Sequence, residues 1–332
     1  MQTLGLIGRL QNYRNVQQGA IEIRDNAGNV LANWPAKQLS NLYQANISYP
    51  FDRIRSLRFS SGIRVDNLVI SSSDDVTLLI NYDDLGIQPR RSISLNHLEY
   101  VYDNSLNPTK NIWTGMRYKI YADWNYQVNK PKFSAGPNTF NVGFDARYYY
   151  PILRNFIWAV RAAGDFSWGS QKMIYYLGGA DGWMMFGSNA KNYKGKTVDR
   201  YFNTQNPPDQ TVNYTYQTVA ANLRGYIQNV ANGNNAFVIN SELRLPVVST
   251  ILDKTVENPF LRDLQVVQFI DLGTAWNGSY KVFKRPEVVY GNTNTVQVKV
   301  KSGGIGPFAG GYGFGVRSTL FGYFLKFDVG WP

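Results

Sequence analysis

The chain has 332 residues, enough for one large domain or two ordinary ones, and only 17% of them are charged, against about a quarter in a typical soluble protein. It contains no cysteine and a single histidine, His97, which excludes disulfides, multi-histidine or thiolate metal sites and thiol nucleophiles. The net charge of +11 would suit nucleic acid, but Lys and Arg are scattered over alternate positions instead of forming one basic stripe, so we expect no nucleic-acid partner.

The sequence lacks the signature of a membrane helix, since no run approaches the roughly 18 apolar residues that such a helix needs. A β-barrel is compatible with the composition, because a barrel strand presents a side chain to lipid only at every second position. Residues 1–25 show no signal peptide pattern. Since a barrel must be secreted, we expect that Met1 is not the natural start.

Alternation of apolar and polar side chains predicts about eleven strands. In "MRYKIYADWNYQ", Met116, Ile120 and Trp124 share one face, whereas Arg117 and Lys119 share the other. The predicted strands are, in chain order, 2–10, 37–49, 55–68, 92–104, 115–127, 138–150, 156–168, 235–247, 264–276, 308–319 and 322–331. Tight turns ("YPFDRIRS", "YYYPILRN", "STLFGY") contrast with long polar connections at 11–35, 71–91, 170–233 and 277–303, as in an outer-membrane barrel.

These patterns predict an all-β fold, an antiparallel transmembrane β-barrel. Aromatic residues near the ends of the runs, as interfacial girdles require, are Trp113, Trp124, Tyr126, Tyr148, Tyr150, Trp168, Trp276 and Trp331. The alternative is a soluble all-β protein, but runs of about ten residues are long for a sandwich. Eleven is odd, whereas bacterial single-chain barrels have an even number of strands, so we expect residues 1–332 to be a single barrel domain truncated at both ends.

One arginine in the longest connection precedes two strands that carry carboxylates. Arg224 is followed by a predicted strand with Glu242 on its polar face, and the next strand, "QVVQFIDLGTAW", has Asp271 on its polar face. If the connection folded back, the planar guanidinium would bridge both carboxylates, in contacts worth about 1.5–3 kcal/mol. Gly225 would allow close approach to the sheet, and Gly273 would leave space there. Spacing alone fits three unrelated charges in a polar barrel interior equally well.

Several stretches follow one another in a distinctive order. From about residue 136 to the end, the chain contains "LRGY", then "GNNAFVINSELRLPV", "VVQFIDLGTAW" and "GGYGFGVRSTLFGYFLKFDVGWP". This order resembles the outer-membrane barrel-assembly-factor superfamily, the bacterial surface antigen family, whose hallmark is a Val-Arg-Gly-Phe/Tyr motif in the sixth extracellular loop. Leu223 stands where that motif has valine. "YYLGGADGWMMFG" resembles the opening of the same loop, and the earlier strands resemble members in which a periplasmic propeller precedes the barrel.

The resemblance implies a sixteen-stranded barrel, of which this chain would supply about strands five to fifteen. The connection 170–233 would be the sixth extracellular loop, folded into the barrel, with its arginine held by acidic groups on the strands. Carried over residue by residue, the loop-lock motif is Leu223, Arg224, Gly225 and Tyr226, its acceptors are Glu242 and Asp271, and the supporting residues are Phe269 and Gly273.

The resemblance also implies a function. It predicts a factor of the bacterial outer membrane that inserts or translocates other outer-membrane or surface proteins, without covalent chemistry, cofactor or metal. Its partners would be outer-membrane lipid and lipopolysaccharide, client proteins, and accessory assembly subunits or periplasmic domains.

A passive outer-membrane pore is the main alternative function. Its interior would be electropositive and would favour anions. The residues that would line it are Arg58, Arg64, Arg117, Lys119, Arg147, Arg161 and Arg317.

Two further functions have weaker sequence support. An enzyme barrel would use His97 and Glu99 as a base pair, but no nucleophile motif accompanies them, and a histidine of the girdle or the barrel interior is the simpler interpretation. A carbohydrate-binding surface would use Trp34 and Trp183 on the long connections, although loop packing explains these aromatics more simply.

Overall fold

The computed structural model describes residues 7–24, 30–70, 88–106, 114–129, 138–153, 156–179, 189–191, 197–199, 206–209, 211–251, 256–280, 287–290, 298–301 and 308–332. Its strands are β1 (Ile7–Arg24), β2 (Val30–Pro50), β3 (Arg55–Ile70), β4 (Arg90–Asp103), β5 (Gly115–Gln127), β6 (Asn138–Leu153), β7 (Phe156–Gly169), β8 (Lys172–Leu177), β9 (Asn189–Lys191), β10 (Thr197–Asp199), β11 (Tyr214–Ala221), β12 (Ala231–Gly233), β13 (Asn235–Pro246), β14 (Gln265–Trp276), β15 (Glu287–Tyr290), β16 (Val298–Lys301), β17 (Ala309–Leu320) and β18 (Tyr323–Trp331). The helices are α1 (Val247–Ile251) and α2 (Pro259–Arg262). Over these ranges, no helix has both the length and the apolar character needed to cross a membrane.

Eleven strands form one large sheet in the order β1-β2-β3-β4-β5-β6-β7-β13-β14-β17-β18. The prediction of an all-β antiparallel fold with eleven principal strands is therefore confirmed. Each strand pairs with the next principal strand along the chain, and the long connections join neighbours too: β13 pairs with β7, and β17 pairs with β14. Smaller sheets are formed by β8 with β11 and β12, by β9 with β10, and by β15 with β16.

The predicted connection between the first two strands is longer than the one observed. Residues 11–35 were expected to form a polar loop, but β1 continues to Arg24 and β2 begins at Val30, with backbone pairing from Ile7↔Ser48 to Ile23↔Ala32. A strand ladder is made by backbone groups, so it continues through a polar stretch in which no apolar alternation marks it. Residues 2–6 of the first predicted strand lie outside the described residues.

The chain divides into two compact units. The first comprises residues 1–100, 121–140 and 169–171, and it contains β1, β2 and β3. The second comprises residues 101–120, 141–168 and 172–332. In the second unit β13 lies between β7 and β14, so that Asn240 is opposite Arg161 on one side and Asp271 on the other. That residues 1–332 form a single barrel domain stays a prediction.

The strands of the second unit expose their apolar face and bury their polar face. On β14, Val266 and Ile270 are 44% and 50% exposed, whereas Phe269 and Asp271, which alternate with them, are at most 1% exposed. Tyr312, Phe314 and Val316 on β17 are likewise exposed. A sheet of a water-soluble protein has the opposite arrangement, with its apolar face in the core.

The strands of the first unit also expose apolar side chains. Tyr43 on β2 and Phe59 and Ile63 on β3 are all exposed. Asp66 on β3, by contrast, is buried and accepts a hydrogen bond from Nε of Arg64 at 3.0 Å. In both units, therefore, the alternation read from the sequence corresponds to an exposed apolar face.

Candidate functional site

Residues 222–230, here called the docked segment, return onto the polar face of the sheet in the second unit. Nδ2 of Asn240 on β13 donates to the carbonyl oxygen of Asn222 at 3.1 Å. At the other end, the backbone N–H of Val230 donates to the carbonyl oxygen of Leu177, the last residue of β8, at 2.9 Å. The docked segment is thus fixed both to a strand of the large sheet and to the start of its own connection.

Arg224 of the docked segment binds Asp271 of β14 through a two-pronged contact. Its Nε donates to Oδ2 at 2.7 Å and its Nη2 donates to Oδ1 at 2.8 Å. The backbone N–H of Arg224 also donates to Oδ2, at 3.2 Å. The arginine side chain is 6% exposed and the aspartate side chain 0%. Because both charges are removed from water, each depends on the other for compensation.

Two more carboxylates contact the remaining guanidinium nitrogen, Nη1. Oε1 of Glu242 on β13 lies at 2.5 Å, and Oδ2 of Asp328 on β18 lies at 3.3 Å. Together with Asp271 on β14, these acceptors come from three different strands. Arg224 therefore links the docked segment to β13, β14 and β18 at once.

Further cations surround the same carboxylates. Nε of Arg244 donates to Oε2 of Glu242 at 2.8 Å. Nη2 of Arg317 donates to Oδ2 of Asp328 at 3.2 Å, and Nζ of Lys326 lies 3.5 Å from that oxygen. With Arg224 the cluster has four cationic side chains for three carboxylates, so losing one carboxylate leaves two cations in excess.

The surroundings keep Arg224 protonated. Burial by itself lowers the pKa of Arg224, but the hydrogen bonds that its side chain donates to Asp271 and the charges of Glu242, Asp271 and Asp328 more than offset it, so the pKa lies above its ordinary value. The guanidinium carbon also lies 3.7 Å from the ring centroid of Phe269, in a cation–π contact. A permanently charged group of this kind suits structural docking and not proton transfer.

Two glycines allow the docked segment to approach the sheet closely. Gly225 has φ +92°, and a Cβ there would lie 2.5 Å from the carbonyl oxygen of Trp331 on β18. On β17, a Cβ at Gly311 would collide with the carbonyl oxygen of Arg224. Both positions therefore require the absence of a side chain.

A hydrogen bond and a buried apolar cluster also hold the docked segment on the sheet. The hydroxyl of Tyr226 donates to the carbonyl oxygen of Gly310 at 2.9 Å, and Leu223 is fully buried. A Cβ at Gly273 would lie 2.9 Å from Cδ1 of Leu177, so this side chain occupies the space that the glycine leaves. The buried apolar cluster consists of Ala163, Leu177, Leu223, Tyr226, Val230, Ala231, Val238 and Ala309.

Seven of the eight site residues named from the sequence lie in or contact the docked segment: Leu223, Arg224, Gly225, Tyr226, Glu242, Phe269 and Asp271. The eighth, Gly273, lies instead against Leu177 of β8 and Val238 of β13. Sequence reasoning missed Asp328 as an acceptor, and it missed Arg244 and Arg317 as cations that share the carboxylates. All three occupy polar positions in the alternation of their strands, which was the available signal.

The other sequence candidates are arranged differently. Nδ1 of His97 lies 2.7 Å from Oδ1 of Asp123, whereas Glu99 accepts a hydrogen bond from Nη1 of Arg58 at 3.1 Å. Trp183 and the side chain of Trp34 lie outside the described residues. Where the structure is described, no group of three or more His, Asp or Glu side chains is placed to hold a metal ion.

Comparisons with known proteins find similarity among solved structures. No family model matches the chain, and no curated protein sequence matches it. Among solved structures, the chain is similar to the crystal structure of BamA from Haemophilus ducreyi lacking POTRA domains 1–3, with a TM-score of 0.45 and 12% sequence identity. The similarity covers 98% of this chain and 62% of that chain, so the chain spans less than two thirds of the length of that BamA structure.

Proposed function

We propose that the large sheet is the wall of a transmembrane β-barrel that crosses the bacterial outer membrane many times. The support is the exposed apolar face, represented by Val266, Ile270 and Phe314, next to a buried polar face. In water this face would be a large apolar patch, which soluble monomers rarely present. In a bilayer the same face contacts hydrocarbon, as the outer face of a barrel does.

We further propose that the chain is the barrel of a factor that inserts or translocates other outer-membrane or surface proteins. The observation that carries this proposal is the burial of Arg224 between Asp271, Glu242 and Asp328, which holds the docked segment on the polar face. The residues in these contacts include those that carry the resemblance to barrel-assembly factors. Function would proceed through strand pairing with a client and local thinning of the bilayer, without covalent chemistry.

The partners follow from this function. Outer-membrane phospholipid and lipopolysaccharide would surround the apolar face, and client proteins would be the substrates. Accessory assembly subunits or periplasmic domains would deliver those clients.

A passive pore is favoured less by the charge arrangement. Several of the cations expected to make its interior electropositive are paired on their own strands or with neighbours: Arg58 lies 3.1 Å from Glu99, and Arg147 and Arg161 lie 2.9 and 2.8 Å from Asp145. Such pairs cancel much of the field that would attract anions. A docked segment on the polar face would also narrow the path of a solute.

The two functions make different predictions for Arg224→Ala in the full-length protein. An insertion factor should lose assembly of other outer-membrane proteins, and its conductance in a planar bilayer should rise as the docked segment is released. A passive pore should conduct in the wild-type form and leave assembly of other proteins unchanged in the variant. Arg58→Ala, which removes an exposed cation outside the Arg224 cluster, is the matched control.

A further inference from the structure

Helix α2 lies on the apolar side of the large sheet. By strand alternation Ser318 belongs to the face of β17 that exposes Phe314, and its partner on β18 is Leu325, which is also exposed. Ser318 is nevertheless buried, and its hydroxyl donates to the carbonyl oxygen of Phe260 in α2 at 2.7 Å. The connection between β13 and β14, which contains α2, therefore covers part of the apolar face at the end of β17.

Exposed apolar side chains lie both on α2 and at the turn that follows β17. Phe260 and Leu261 are exposed on α2, and Phe321 and Tyr323 are exposed at the turn between β17 and β18. Phe321 is 90% exposed and has φ +51°, a left-handed conformation that is costly for a residue other than glycine. We call these four residues the apolar ledge.

We propose that the apolar ledge is a lipid-binding surface that inserts into the phospholipid boundary at the rim with the short turns. This inference rests on the proposed membrane location of the sheet. If Phe314 and Leu325 contact hydrocarbon, α2 lies on the lipid side of the sheet. The reason is that α2 covers Ser318, which is on the same face as Phe314 and is paired with Leu325. The occupant is therefore phospholipid and not a protein bound beneath the rim.

The charges near the ledge are compatible with this position. None of the four ledge residues is ionisable at neutral pH, and the turn "LFGY" contains no charge. The cation that follows the ledge, Arg262, is paired with Asp263 through an Nε–Oδ1 distance of 2.9 Å, which reduces the cost of placing it near lipid. Short turns of outer-membrane barrels lie at the periplasmic side, so the lipid would be that of the inner leaflet.

Spin labelling of the protein in vesicles of phosphatidylethanolamine and phosphatidylglycerol tests the proposal. The chain contains no cysteine, so Leu261→Cys and Phe321→Cys each give a single labelling position within it. Glu257→Cys, an exposed polar position three residues before Phe260, is the matched control at the same rim, and Phe314→Cys reports the apolar face of the strand. Collision of the nitroxide with oxygen indicates lipid, and collision with a water-soluble nickel chelate indicates water.

The expected result is an oxygen-to-nickel collision ratio several-fold higher at positions 261 and 321 than at 257, and close to that at 314. Nickel-accessible labels at 261 and 321 beside a lipid-exposed label at 314 would overturn the ledge proposal and leave the membrane proposal standing. Low collision with both reagents at the ledge would also overturn it, in favour of a protein cover. A nickel-accessible label at 314 would contradict the membrane location itself.

Discussion

Asp271 has no exposed side-chain surface and accepts three hydrogen bonds from one residue, Arg224. Two come from the guanidinium and one comes from the backbone N–H, so the contact fixes both the side chain and the path of the docked segment. Because the two groups belong to different parts of the chain, undocking the segment would leave a buried carboxylate without its partner. The position of the segment and the stability of the sheet are therefore linked.

Removing the arginine should destabilise the protein strongly. We expect Arg224→Ala to lower the free energy of unfolding by about 3–5 kcal/mol, since it leaves Asp271 charged and unpaired in a buried place. Urea unfolding in phospholipid vesicles measures this change. Arg58→Ala should cost less, because Arg58 is 54% exposed and water reaches its guanidinium, although its partner Glu99 is buried. Equal small losses in both variants would show that the Arg224 contacts contribute little.

Gly225 is constrained both by its close approach to Trp331 and by its positive φ, and the energetic costs of the two can be measured separately. Gly225→Ala should cost more than Gly278→Ala, although both glycines have positive φ. At Gly278 a Cβ would meet nothing within 4 Å, so only the left-handed strain of about 1–2 kcal/mol applies. At Gly225 the collision with Trp331 is added. Comparing the urea midpoints of the two variants is sufficient, and equal midpoints would mean that the segment shifts without cost.

The three carboxylates should differ in importance. Asp271→Asn should release the docked segment more than Asp328→Asn does, because Asp271 holds two guanidinium nitrogens and Asp328 only one, at 3.3 Å. The measurement is the rate of limited proteolysis within residues 206–221, which precede the segment. A faster cleavage of Asp328→Asn than of Asp271→Asn would contradict this ranking.

Tyr226 offers a milder perturbation of the same segment. Tyr226→Phe keeps the buried ring but removes the hydrogen bond to the carbonyl oxygen of Gly310, so we expect a loss of about 1 kcal/mol in the free energy of unfolding. Tyr312→Phe, on the exposed apolar face of β17, is the control and should be close to neutral. A neutral result at Tyr226 would indicate that water replaces the lost donor.

The principal strands were predictable because period-two alternation marks any strand with one apolar face. β5 (Gly115–Gln127) agrees with the predicted range at both ends, and β14 (Gln265–Trp276) differs by one residue. Strands without this alternation were not predictable in this way. β8 is a short apolar run whose last four residues are all buried, so it has no exposed face to alternate with. The extension of β1 to Arg24 and the other short strands depend on backbone pairing within stretches that read as polar connections.

The site was predictable to a similar degree. Alternation places Glu242 and Asp271 on the polar face, and the resemblance to a known family singles out Arg224 from the other arginines. Asp328 has the same alternation signal, and the tight turn "STLFGY" predicts that β18 pairs with β17, but nothing in its local sequence shows that Asp328 approaches the docked segment. Such proximity depends on sheet order, which a single strand does not encode.

A charge exchange between Arg224 and Asp271 tests most directly the claim that the docked segment is held on the sheet and that this supports assembly of other proteins. Arg224→Glu should abolish that assembly in cells, because a fourth carboxylate would face Glu242, Asp271 and Asp328. Adding Asp271→Arg should restore it in part, with Glu242 and Asp328 limiting the rescue. Normal assembly with Arg224→Glu alone would contradict the account and leave the chain as an ordinary pore.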